Sequence, residues 1–81
     1  MKYRVGDILR SKDDMRITAG KNEDLEEDVD QGDYFVVTHY GEFEDVYGDT
    51  HIGWTLLSQK NATPSRWDES YCDLNKSFTK V

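Results

Sequence analysis

Most of the apolar–polar pattern in this chain has a period of two. Tyr3 and Val5 alternate with Lys2 and Arg4, and Ile8 and Leu9 follow Gly6-Asp7. This spacing predicts an opening strand over about residues 2–11, with a bend or bulge at Gly6-Asp7. Met15 and Ile17 alternate with Arg16 and Thr18, which predicts a short second strand ended by Ala19-Gly20-Lys21-Asn22. From Tyr34 to Tyr40 every residue except His39 is β-branched or aromatic, the strongest strand signal in the chain. Apolar groups fall on both faces there, so the strand is expected to be central or covered on both sides. Gly41 reads as the start of a turn. Glu42 to Gly48 reads as a weak strand or hairpin arm carrying Phe43 and Val46 or Tyr47, and Gly48-Asp49 as a second turn. His51 to Ser58 is a further strand, with Ile52, Trp54 and Leu56 on one face and His51, Gly53, Thr55 and Leu57 on the other.

The period then changes. Trp67, Tyr71, Leu74 and Phe78 follow the spacing i, i+4, i+7, i+11 after a polar connection holding the one proline, Pro64. That places them on one face of a helix. Ser65 and Asp68 resemble a capping box, Asp68 and Glu69 suit a first turn, Lys76 suits the last, and Asn75 suits a C-terminal cap. About two to three turns fit before a last strand, Ser77 to Val81, to which Phe78 can equally belong. Four or five short strands and one short C-terminal helix predict a mainly β fold. A small, partly open barrel around one core is the expected form, with residues 1–81 as a single domain.

Charge divides the chain in three. Residues 1–21, 22–59 and 60–81 carry balances of +3, −11 and +1, for a net charge of −7. The middle block holds Glu23, Asp24, Glu26, Glu27, Asp28, Asp30, Asp33, Glu42, Glu44, Asp45 and Asp49, with no Lys or Arg. Leu25 and Val29 are the apolar residues of 23–30. Their i, i+4 spacing would suit a helix, but Glu23/Glu27 and Asp24/Asp28 repel at that same spacing. The segment therefore reads as an acidic loop that touches the body at most through Leu25 and Val29. An acidic balance disfavours direct contact with nucleic acid or anionic lipid and favours a basic partner or plain solubility. An aromatic share of 12% argues against disorder. One cysteine, Cys72, excludes an intrachain disulfide, and no run approaches the roughly 20 apolar residues of a membrane span. The expectation is a cytoplasmic protein.

The motifs of catalysis and metal binding do not fit. Counting an EF-hand from Asp28 places Gly32 at position 5, and counting from Asp24 places Val29 at position 6, so the glycine is misplaced both ways. His39, His51 and Cys72 lack zinc-ligand spacing. Both histidines read as surface or half-buried strand residues, and Cys72 as a small buried or half-buried one without a base beside it. The carboxylates crowd into solvated runs, whereas acid–base catalysis needs two in different environments. The chain is expected to be non-enzymatic and to carry no metal or other cofactor.

Tyr3-Arg4-Val5-Gly6-Asp7-Ile8-Leu9-Arg10 resembles the opening of SH3-like barrels of bacterial and phage proteins, where Gly-Asp turns the chain into the first barrel strand. Trp67-Asp68-Glu69-Ser70-Tyr71 with Phe78-Thr79-Lys80-Val81 resembles the close of small phage-encoded members. In general profile the chain is similar to acidic host-takeover proteins of lytic phages, some of which are DNA mimics that block nucleoid-associated proteins such as HU. That resemblance implies a partner that is a basic, DNA-binding host protein, met by the eleven carboxylates of 23–33 and 42–49. The strand between the two segments is expected to hold them side by side. The alternative is an SH3-like adaptor with an aromatic groove of Tyr40, Tyr47 and Trp54.

Overall fold

The computed structural model describes residues 3–81. Seven strands and one helical turn follow in chain order. They are β1 (Ile8–Ser11), β2 (Met15–Ala19), β3 (Leu25–Val29), β4 (Tyr34–Glu44), β5 (Thr50–Ser58), β6 (Pro64–Asp68), α1 (Leu74–Ser77) and β7 (Phe78–Lys80). The mainly β class with one short C-terminal helix is as the sequence predicts. A five-stranded antiparallel sheet has the order β6-β5-β4-β1-β7, and β2 and β3 form a separate hairpin. The two sheets do not make a closed barrel. No helix among the described residues is long and apolar enough to cross a membrane.

β4 is the central strand, which explains its apolar groups on both faces. A register shift between Val37 and His39 adds a second reason. A bulge changes the phase of the pleat, so Phe35 and Val37 before it share the core face with Tyr40 after it. The core is built from Leu9, Phe35, Val37, Trp54, Leu56 and Phe78 of the large sheet, closed by Ile17 and Val29 of the hairpin, by Leu74 of α1 and by Tyr3. Phe78 is the hub, with its ring centroid 5.2 Å from Phe35 and 5.5 Å from Trp67 in edge-to-face contacts. Ser11, Ser58 and Ser65 are buried, and each has a hydrogen-bond partner.

Four expectations are corrected. The opening strand begins at Ile8; Lys2 lies outside the described residues. Gly6 takes a φ of +96°, and the Asp7 carboxylate accepts the Arg4 N–H at 2.8 Å, which makes a turn before the strand. Gly41 does not end β4, which runs on to Glu44 and turns at 45–49. The segment read as an acidic loop is strand β3. In a strand, alternate carboxylates point to opposite faces, and Arg16 of β2 stands directly opposite Asp28. Val29 is buried as expected, while Leu25 remains exposed.

The longest correction concerns the predicted helix. Residues 64–68 form β6, hydrogen-bonded along β5, and α1 covers only Leu74–Ser77 with Asp73 as its N-cap. Trp67 and Leu74 face the core in either geometry, so helical spacing did not discriminate. Tyr71, placed on the same face by the helical reading, is 84% exposed. Asn75 lies inside the turn of helix, and the Phe78 N–H closes it onto the Leu74 carbonyl.

Candidate functional site

The acidic residues separate into two groups. The first surrounds the β2–β3 hairpin and the start of β4. Glu26 and Asp28 project outward from β3 into solvent, with exposed Asp24 and Asp30 at alternate positions on either side. Arg16 lies 3.0 Å from Asp28 and 3.6 Å from Glu26. Glu27, on the opposite face, accepts hydrogen bonds from the Thr63 hydroxyl and the Asn61 amide, which ties the hairpin to the β5–β6 turn. Lys60 from that turn reaches Asp30 at 3.3 Å and Asp33 at 3.0 Å. The Asp30 backbone N–H, assisted by Lys60, holds the Asp33 carboxyl below its ordinary range. Glu23 sits at the hairpin turn with a φ of 56°.

The second group lies beyond the other end of β4. Exposed Glu42 and Glu44 stand opposite Ile52 and Thr50. Asp45 folds back over the turn, its Oδ1 accepting the N–H groups of Tyr47 at 2.9 Å and Asp49 at 3.0 Å. Asp49 is exposed. Asp33 and Glu42, the members of the two groups that flank this stretch of β4, are nine residues apart, about 30 Å along an extended strand, and the molecule is 33 Å in its longest dimension. The side-by-side arrangement expected of 23–33 and 42–49 is therefore corrected: β4 holds them apart.

At this second end the structure assembles a cluster that sequence reasoning missed. His51 Nε2 lies 2.7 Å from Asp45 Oδ2, and His51 Nδ1 lies 2.6 Å from Asp68 Oδ2. The Phe43 ring stacks on the imidazole at 5.3 Å. Asp45, and then Asp68, raise the histidine above its ordinary pKa against the opposing effect of burial. His51 in turn lowers the Asp45 carboxyl. Burial pushes Asp68 up, but His51 and the Ser70 N–H together outweigh it and leave the carboxyl lowered. With both ring nitrogens facing carboxylates, neither offers a lone pair to a substrate. An open cleft of about 460 Å³ runs beside the cluster, lined by residues that include Asp49, Ile52, Glu69 and Tyr71. Among the described residues no group of three or more ligating side chains is arranged to hold a metal ion.

The aromatic groove does not assemble. Trp54 is 8% exposed, wedged between Tyr3 at 5.7 Å and Tyr40 at 5.6 Å, and is part of the core. The Tyr40 hydroxyl donates to Glu69 at 2.7 Å. Tyr47 stands alone at the tip of the turn, 88% exposed. His39 is exposed, and Cys72 is half-buried in the turn before α1, where burial raises its thiol pKa.

Arg16, Lys60 and Asp68 are the partners that reading by segment overlooked. Asp68 was legible only as a helix cap while 65–68 read as helix. A strand reading would have placed it across β5 beside Gly53. Comparison of the chain with models of protein families, with curated proteins and with solved structures yields no match.

Proposed function

We propose that the chain is a non-enzymatic acidic binding protein of phage origin. It occupies the cationic DNA-binding surface of a host protein, of which a nucleoid-associated protein such as HU is the type, and so displaces DNA. The supporting observation is the outward row of β3, where Glu26 and Asp28 and the flanking Asp24 and Asp30 all face solvent. Alternate strand positions are about 6.6 Å apart, so the row is about half as dense as one DNA strand, which carries a charge per 3.4 Å of axis. Asp33 and Glu27 lie close behind it. Arg16 and Lys60 do not disable the surface. Exposed ion pairs contribute little and exchange readily for a partner's cations.

The test is competition against a labelled duplex bound to purified HU. The chain is expected to release the duplex, and its affinity for HU to fall steeply between 50 and 200 mM salt, a range over which contacts of this kind lose orders of magnitude. The double variant E26K/D28K is expected to lose the competition. A duplex that stays bound, or an affinity indifferent to salt and to both reversals, overturns the proposal.

A further inference from the structure

A neutral imidazole has one N–H and one lone pair, and the imidazolium alone donates from both nitrogens. His51 faces a carboxylate oxygen at each nitrogen, at 2.6 and 2.7 Å, so the observed geometry is that of the charged ring. The two carboxylates belong to different turns, and each organises its own. Asp45 Oδ1 holds the N–H groups of Tyr47 and Asp49, and Asp68 Oδ1 holds the Ser70 N–H at 2.6 Å. We infer that His51 is a proton-operated clamp that joins the β4–β5 turn to the end of β6, and that loss of its proton frees the 45–49 turn.

Loss of one N–H leaves a lone pair pointing at a carboxylate less than 3 Å away, which is repulsive, so one of the two contacts must open. The β6 end does not move away, because the Glu69 N–H is bonded to the Ile52 carbonyl at 3.0 Å in addition to the strand pairing. The turn is retained differently. Its backbone bonds, such as Asp45 N–H to the Asp49 carbonyl at 2.9 Å, lie within the turn itself. It keeps its shape and loses its anchor.

The carboxylates around the ring act together to favour its charged form, against one nearby cation of β6. Asp45 of the turn and Asp68 at the end of β6 face the two ring nitrogens, while Asp49 and Glu69 line the adjoining cleft, the Glu69 carboxylate accepting from the Tyr40 hydroxyl. Glu42 and Glu44 of β4 point to the other sheet face, because Phe43 between them is the residue paired with His51. Arg66 lies 6.0 Å from the Phe43 ring and is the nearby cation of β6. The side chains of His51, Asp45 and Asp68 are 23%, 18% and 14% exposed, so solvent reaches the cluster only in part. The raised pKa of His51 agrees with the geometry. This clamp stands independently of the partner proposed above.

NMR of the labelled chain tests it. The expected result is a His51 protonated at both nitrogens at neutral pH, titrating above the ordinary histidine value of about 6.5. Backbone order parameters of residues 46–49 should fall from about 0.85 toward 0.6 or below across that same midpoint. Asp45→Asn should lower the midpoint, and His51→Gln should remove the pH step in the turn. A ring carrying one proton at neutral pH overturns the inference. So do order parameters that stay flat through the wild-type titration, a result that needs no variant to fold.

Discussion

At Gly53 the side chain of the smallest residue is a packing requirement. A Cβ there would lie 1.9 Å from the Trp67 carbonyl oxygen, and that oxygen belongs to backbone held in the β5–β6 ladder. Gly53→Ala is therefore expected to cost about 3 kcal/mol, the upper end of the range for overpacking, read as a lower urea midpoint. The charged residues set the pH dependence. Asp7, Asp33, Asp45 and Asp68 are lowered in the folded chain, Asp7 chiefly by the Arg4 N–H and by Lys80. Groups of that kind stabilise above their unfolded value of about 3.9 and lose the contribution as pH falls through the folded values. His51 is raised, so its contribution is complete below about 6.5 and is lost as pH rises through its folded value. Urea midpoints measured across pH should form a plateau from about 4 to 6.5, with the alkaline shoulder absent in His51→Gln.

Among the elements, the β2–β3 hairpin is attached by few groups. Ile17 and Val29 enter the core, the Gly20 N–H reaches the Pro64 carbonyl at 2.8 Å, and Glu27 meets Thr63. Ile17→Ala should cost about 2–3 kcal/mol, and amide exchange in residues 15–29 should accelerate before that of β4 and β5. The four-residue α1 is too short to be stable by itself. It is held by Leu74 in the core and by the Asp73 cap. β4 and β5 were readable because dense β-branched and aromatic positions repeat every two residues. β3 and β6 were not. Their local composition argues for loop and for helix, and the deciding term is the partner strand: Arg16 opposite Asp28 in one case, the space above Gly53 in the other.

For the whole molecule, the two acidic ends act separately. About 30 Å of strand β4 divides them, against a Debye length of about 8 Å at physiological salt. A compact cationic patch therefore engages one end at a time. Under the proposed function, E26K/D28K should reduce affinity for HU by at least about tenfold, while E42K/E44K should change it by less than about threefold, because rim charges away from a contact contribute little. Equal losses from both pairs, measured by titration calorimetry, would mean a partner that spans the molecule.

The carboxylates themselves were legible, down to their two sequence segments, and so were the class of fold, the central strand, the turn at Gly48-Asp49 and a short helix near the end. All of these follow from composition, from period and from turn chemistry within a few residues. The placement of the two acidic segments was settled by the tertiary structure, as were β3, β6, the burial of Trp54 and the meeting of Asp45, His51 and Asp68. Each depends on which strand lies beside which, and a pairing between separate segments, such as β2 with β3 or β5 with β6, leaves no local period to read.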